Sequence, residues 1–392
     1  MKYASSKSVS ILFSLLVLAN LGYLIFPSIY YFGSDYSYEL IANYSRDNIR
    51  ILLMVNFLIS MTVVLLSKIN INNNMIHLIL ILSILNAIIY WYQGGEYGLF
   101  QVIAIPFSYM ALFYVFPQYK LNDKLLSTIL WIIVIWSIYP VVYIIIFPSD
   151  YISSLFMDTL GLKTFRGFAQ HRNVYGFYAG IAIILLFVKY GNTRTFLKYI
   201  LLLPLTVGLI LSESRSSILA TISVLSYRFI TTRGFKPSSI LIGVISMIAA
   251  FVSLQYYLAM YSVRDFGFGG YDRLSLWSQA IRQNSQYWVF GKGPGSNVVN
   301  TFHVDMTSHN FILQTLFDYG IFVSAFFFML LVKVWQNAKK EYKYFLLYIL
   351  IIGLFQPYFS YGVPIYFTLT TILIGLVAGS KTSNTKTKIG IY

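Results

Sequence analysis

Residues 261–310 read YSVRDFGFGGYDRLSLWSQAIRQNSQYWVFGKGPGSNVVNTFHVDMTSHN, the longest hydrophilic stretch in an otherwise apolar chain. Connections between membrane-spanning segments are usually short. A stretch of this length, rich in Arg, His, Asp, Gly and aromatic residues, therefore reads as working surface rather than spacer. On either side of it, apolar runs recur at about the thickness of a bilayer. The 392 residues are 58% hydrophobic and 10% charged, with a mean hydropathy of +0.69. Soluble domains carry about 25% charged residues, so the composition dictates an integral membrane protein.

A helix needs roughly 17–25 mostly apolar residues to cross hydrocarbon. Runs that meet or approach this length lie at 9–26, 49–67, 75–92, 99–116, 125–147, 174–189, 196–211, 217–231, 238–260, 311–335, 344–359 and 363–378. The expected fold is an all-α polytopic membrane protein. It has about 12 transmembrane helices and one large extracytoplasmic loop containing short helices. Three regions follow: residues 1–260 with helices one to nine, the loop 261–310, and 311–392 with the last three helices and a tail. Asp318 and Gly320 interrupt the tenth run, which places its first part near the interface. Lys2 and Lys7 precede the first run, and no small-x-small cleavage site follows it. A retained helix is expected there rather than a removed signal peptide.

Charge sets the orientation. With the N-terminus in the cytoplasm and the runs alternating, the inner segments hold eighteen Lys and Arg against two acids, a balance of +16. The outer segments hold ten cations against eleven acids, a balance of −1. Every inner loop is basic, as the positive-inside rule requires. Both termini are then cytoplasmic, and 261–310, 148–173 and 212–216 face outward. The net charge of +15 is accounted for by topology, so nucleic acid is not an expected partner. Cysteine is absent, which excludes disulfides and thiolate metal sites.

The outward cations gather in a few motifs. Leu211-Ser212-Glu213-Ser214-Arg215-Ser216-Ser217 joins the seventh and eighth runs and sets one Arg among hydroxyls at the interface. Arg gives fixed, bidentate contacts to phosphate oxygens; the plainer reading pairs Arg215 with Glu213 as a helix-end anchor. Arg166-Gly167-Phe168-Ala169-Gln170-His171-Arg172-Asn173 carries two Arg and a His into a helix N-terminus, where anions are favoured. The alternative there is a polar loop with snorkelling cations. In Asp272-Arg273-Leu274-Ser275-Leu276-Trp277, helical spacing of Leu274, Trp277 and Ile281 suggests a helix capped by Asp272, with Arg273 in its first turn. Gly291-Lys292-Gly293-Pro294-Gly295 lacks the strand-and-helix context of a phosphate loop and reads as a tight turn at a pocket rim. Ser308-His309-Asn310 precedes the tenth run, where a neutral imidazole suits proton abstraction from a sugar hydroxyl. The His are scattered and no carboxylate cluster accompanies them, so neither a metal site nor a cofactor is expected.

The order of these motifs, a polar loop before a span, a Ser-Arg-Ser turn, then Arg-Leu-x-x-Trp, Gly-x-Gly and His-Asn in one outer loop, resembles the O-antigen ligase and polymerase superfamily of bacterial surface-polysaccharide assembly. The resemblance covers roughly residues 165–335. It implies glycan transfer from an undecaprenyl-pyrophosphate carrier to an acceptor hydroxyl at the outer face of the bacterial inner membrane. By motif, it implies Arg215, Arg273 and His309 as the catalytic set. Arg166, His171, Arg172, Glu213, Gly293 and Asn310 become candidate substrate contacts. The implied partners are a lipid-linked oligosaccharide, the bilayer and a chain-length regulator protein. Loop aromatics suited to sugar stacking favour a polymerase, with the ligase as the alternative. A twelve-helix polysaccharide transporter is more distant, because the long loop is external and neither internal repeats nor ion-coupling residues stand out.

Overall fold

The computed structural model describes residues 6–30, 38–67, 69, 73–93, 98–118, 122–147, 155–159, 162–169, 171–190, 196–233, 241, 273–293, 299–300, 305–306, 310–355, 373–375 and 377. Ten of the predicted spans coincide with helices. These are α1 (Ser6–Tyr30), α2 (Tyr38–Leu66), α3 (Asn74–Gln93), α4 (Gly98–Tyr109), α5 (Asn122–Ile146), α6 (Arg172–Tyr190), α7 (Phe196–Leu211) and α8 (Arg215–Arg233), followed by α10 (Phe311–Asn337) and α11 (Lys340–Gly353). Between them, α9 (Arg273–Asn284) is the short loop helix. The predicted runs 238–260 and 363–378 lie outside the described residues, apart from Leu241, 373–375 and 377.

Three of these helices hold stretches long and apolar enough to cross a membrane, at Asn74–Trp91, Ser127–Ile146 and Phe311–Asn337, and five more contain shorter apolar stretches. Their outward faces are apolar too: Ile11, Leu15 and Leu18 on α1 and Phe196, Leu203 and Ile210 on α7 are exposed. Water does not tolerate contiguous apolar faces of this size; lipid does. The chain is a multi-pass helical membrane protein.

One buried polar pair joins two helices inside the bundle. Asn20 of α1 and Asn56 of α2 exchange side-chain hydrogen bonds at 2.8 and 3.2 Å. The fourth span ends irregularly, with a π-helical turn at Met110–Val115 and a 3-10 turn at Phe116–Gln118. Helices α5, α6, α7, α8 and α11 pack together, and α10 packs on α3 and α11. One continuous core runs through these elements.

Two short antiparallel ladders add to the helical fold. β1 (Phe156–Thr159) pairs with β2 (Leu162–Phe165), and β3 (Val299–Asn300) pairs with β4 (Asp305–Met306). Both sit in predicted outer loops. The first anchors its loop through Phe165, which is fully buried with its ring 4.9 Å from Tyr175 of α6.

The tenth span breaks where Asp318 and Gly320 predicted it. Gly320 has φ 75° and ψ 176° inside α10, a conformation that glycine alone adopts without strain. Backbone from the large loop fills the break. The amide of Lys292 donates to the Phe317 carbonyl at 2.6 Å, that of Gly293 to Asp318 at 3.0 Å, and that of Ile321 to Trp288 at 2.8 Å. The Phe317 and Asp318 carbonyls and the Ile321 amide, which the break frees, are thereby satisfied, as a membrane interior demands.

Candidate active site

Two helices begin side by side. Gly176 and Gly180 lie four residues apart on α6; the turn between α7 and α8 packs against Gly176, and α8 and α11 pack against Gly180. A Cβ at Gly176 would overlap Ser214, and one at Gly180 would meet the Tyr348 hydroxyl and Thr221. Small residues at this spacing let helix backbones approach closely. The result is that the N-termini of α6 and α8 open at the same end of the bundle. The N-terminus of α10 is at that end as well. Tyr348 of α11 donates to the Phe177 carbonyl of α6 at 3.0 Å, and Gly353, one turn further along α11, packs on Phe311.

At this end Arg172, the first residue of α6, meets Glu213 with Nη1 3.3 Å from Oε2. Glu213 therefore pairs across the bundle, and not with Arg215 as the plainer reading of the turn had it. The reason lies in the turn. Glu213 has φ 49°, the only positive value at a non-glycine position among the described residues. That left-handed kink aims Glu213 at α6 and leaves Arg215, the first residue of α8, exposed. Ser212 and Ser214 are fully buried. The Ser212 hydroxyl donates to the Leu209 carbonyl and accepts from the Ser214 amide, while the Ser214 and Ser217 hydroxyls lie 2.8 Å apart.

His171 caps α6. Its Nδ1 accepts the Asn173 amide at 3.1 Å and its carbonyl takes the Val174 amide at 3.0 Å. That hydrogen bond assigns the proton to Nε2. Burial, reinforced by the Arg172 charge, lowers the imidazole from its ordinary 6.5 to about 4, so it is neutral at physiological pH. Burial also lowers Arg166 from the usual guanidinium value, yet an Arg remains charged. Its amide donates to the Leu155 carbonyl at 2.9 Å, which ties the loop to the first ladder.

On the loop side, Asn310 caps α10, its Oδ1 accepting the Ile312 and Leu313 amides at 2.9 and 3.2 Å. Gly293 is buried and its amide is committed to Asp318. Arg273 begins α9, as predicted. The buried face of that helix differs from the predicted stripe, however. Leu276 and Ala280 pack on Phe317, while Ile281 is exposed. The small Ala280 allows close approach to the aromatic ring, and this packing outweighs the larger residues in choosing the face. His309 lies outside the described residues, as do Gln170, Asp272, Pro294 and Gly295.

The structure thus brings His171, Arg172, Glu213 and the Ser212–Ser217 hydroxyls together at paired helix N-termini. Sequence reasoning missed Gly176, Gly180 and Tyr348, although the Gly-x-x-x-Gly spacing carried the signal. Cations in the first turns of α6 and α8 oppose both helix dipoles, a local conflict that an anion would relieve. Among the described residues no group of three or more His, Asp or Glu is arranged to hold a metal ion.

A family model described as O-antigen ligase matches residues 199–328, from within α7 to within α10. This segment holds Glu213, Arg215, Arg273, Gly293, His309 and Asn310, whereas Arg166, His171 and Arg172 fall before it. No curated protein and no solved structure matches the chain.

Proposed function

We propose that the chain belongs to the O-antigen ligase and polymerase superfamily and is an O-antigen polymerase, a reading supported by the O-antigen ligase family model that matches residues 199–328. It moves glycan from undecaprenyl pyrophosphate to a sugar hydroxyl of another lipid-linked repeat unit, at the outer face of the bacterial inner membrane. The observation that carries this reading is the convergence of two helix N-termini, with Arg172 and Arg215 as their first residues, on one polar turn.

In this reading the donor pyrophosphate lies at the interface with its polyprenyl tail between helices. Arg215 and Arg273 hold the phosphate oxygens, and charge developing on the leaving group is stabilised by fixed guanidinium and amide donors. His309 accepts the proton of the attacking hydroxyl as its oxygen bonds to the anomeric carbon and the bond to pyrophosphate breaks. A single displacement inverts that carbon. Glu213 orients Arg172, and Arg172, Arg166 and His171 line the donor side. Asn310 and Gly293 set the start of α10 and the loop turn beneath the acceptor. Residues 1–260, 261–310 and 311–392 serve as the membrane scaffold, the outer loop and the closing helices, on a twelve-helix topology with cytoplasmic termini. A separate chain-length regulator is a proposed partner.

A second reading, ligase, is favoured by the description of the matched family. The acceptor is then lipid A-core rather than a second repeat unit. One experiment separates the two. Purified protein in nanodiscs receives undecaprenyl-pyrophosphate repeat unit as sole substrate. A ladder of lipid-linked oligomers that Arg215→Ala abolishes supports the polymerase. Product only on adding lipid A-core supports the ligase. A ladder unchanged in Arg215→Ala overturns the proposed donor site.

A further inference from the structure

The loop turn that clasps the broken span carries an apolar tip that the proposed transfer step does not use. The Gly291 amide donates to the Tyr287 carbonyl at 2.7 Å and closes this turn. Its three tip residues, Trp288, Val289 and Phe290, are 41%, 47% and 54% exposed. The chain just before them differs. Of the exposed residues from Leu276 to Gln286, Ser278, Arg282, Gln283, Ser285 and Gln286 are polar, and only Ile281 is apolar. The outward surface of the loop therefore changes from mainly polar to wholly apolar at Tyr287.

Depth decides what this tip meets. The turn is fixed at Gly320: the Ile321 amide donates to the Trp288 carbonyl at 2.8 Å, and the Val289 carbonyl occupies the space that a Cβ on Gly320 would need. Beyond Gly320, α10 runs to Asn337 and rises only about 26 Å. The hydrocarbon core is about 30 Å thick. To cross it, α10 must enter hydrocarbon before Gly320, so the break and the turn docked on it lie at or below the hydrocarbon edge. Backbone outside a helix survives at that depth only when its polar groups are paired, and the amides of Gly291, Lys292 and Gly293 are each committed to a carbonyl. The surface of α10 is continuous with the tip. Ile321 and Phe322, beside the docked turn, are exposed, and Met329 and Val332 carry the exposed apolar surface on along the span.

We propose that the tip formed by Trp288, Val289 and Phe290 is inserted in the bilayer, its side chains among the acyl chains of the leaflet on its own side of the membrane. Tyr287 and Lys292 flank the tip, and both residue types settle at headgroup level with their apolar parts in lipid. No acid lies between Asn284 and Lys292 to oppose entry. A glycan would stack on these rings only from water, which the depth of the turn excludes. The insertion rests on the chain being a multi-pass membrane protein and not on the transfer reaction. It holds the break in α10 and Gly293 at a fixed depth in the leaflet.

The chain has no cysteine, so Phe290→Cys in the full-length protein takes a single nitroxide label. The test places it in nanodiscs of equal phosphatidylcholine and phosphatidylglycerol. Collisions with oxygen, which concentrates among acyl chains, are compared with collisions with a water-soluble nickel chelate. Met329→Cys on the exposed apolar side of α10 and Gln286→Cys on the polar part of the loop are the references. All three carry the same label, so its own affinity for lipid is common to them. The expected result is an oxygen-to-nickel ratio at position 290 shifted away from the Gln286→Cys value to that of Met329→Cys. A ratio nearer to that of Gln286→Cys overturns the insertion and leaves the tip in water, open to a glycan. Low access to both reagents also overturns it, because the tip is then covered by protein, either a second copy or a partner. Val289→Cys, read against the same references, takes the place of Phe290→Cys should that variant not fold.

Discussion

Arg172 and Glu213 stand 41 positions apart in sequence and meet at 3.3 Å, joining the start of α6 to the turn that starts α8. Both side chains are partly exposed, so the pair contributes at most about 1 kcal/mol to stability. Its position is better explained by what it orients. Glu213 pays about 1–2 kcal/mol of left-handed backbone strain to reach α6. Glu213→Gly relieves that strain while deleting the carboxylate. The expected result is a melting temperature within a few degrees of wild type together with transfer reduced about tenfold or more. Thermal melts and a transfer assay on the same preparation check it; a variant equally active would remove Glu213 from the site.

Gly291 and Gly320 hold loop and helix together with no side chain between them. A Cβ on Gly320 would collide with the Val289 carbonyl, and one on Gly291 with the Asp318 carbonyl, both rigid backbone. Both glycines also have positive φ, at 71° and 75°. Alanine at either therefore faces strain and overlap together, an expected loss of about 2–4 kcal/mol. Limited proteolysis around residues 288–293 should show the loop detaching before the bundle melts. Unchanged protection in both variants would show the clasp to be dispensable.

Tyr348 links α11 to α6 through the Phe177 carbonyl, and its hydroxyl lies beside Gly180. Tyr348→Phe removes this bond from a fully buried site, at about 1–3 kcal/mol. Gly180→Ala should be worse, because its methyl would strike that hydroxyl. Combining the two removes the collision, so the double variant should be more stable than Gly180→Ala alone. A double-mutant cycle by thermal denaturation reads the coupling. Additive losses would mean that the hydroxyl is not what Gly180 accommodates.

Much of this arrangement could be read from the chain, and the rest could not, for identifiable reasons. Helix positions were legible at ten of the twelve apolar runs, because long apolar runs favour helices, and the break in α10 because Asp318 and Gly320 both disfavour an apolar helix interior. The α9 helix was legible but its buried face was not, because Phe317 of another helix chose Ala280. The four-residue and two-residue ladders are too short to show a period. Pairing of Arg172 with Glu213 depends on Gly176 bringing α8 close, a tertiary fact to which local motifs are blind.

His171 gives a pH dependence of stability. Its imidazole is lowered from 6.5 to about 4 by burial and by Arg172. In the unfolded chain it takes up a proton below about 6.5, while the folded chain resists until about 4. The unfolded state therefore binds more protons across that window. The stability of the neutral cap is fully present above 6.5 and is lost as pH falls towards 4. His171→Asn keeps an acceptor for the Asn173 amide but does not titrate. Melting temperatures followed from pH 7 to 4 should decline less steeply in this variant. Parallel declines would place the titration elsewhere.

Arg215→Ala, Arg273→Ala and His309→Ala test the transfer chemistry. Removing a positioned general base costs about 10²–10⁴ in rate, and removing one donor to a developing anion about 10²–10³. Each variant is expected to insert normally, because Arg215 is exposed and all three positions lie outside the predicted apolar runs. The two Arg variants should also weaken donor binding, whereas His309→Ala should bind donor as wild type does and fail to turn it over. Binding of undecaprenyl pyrophosphate measured beside single-turnover transfer distinguishes these patterns. Wild-type turnover in His309→Ala would move the proton acceptor to another group at the same helix ends. His171 is poorly suited to that role, because an imidazole held near 4 is a weak base at neutral pH.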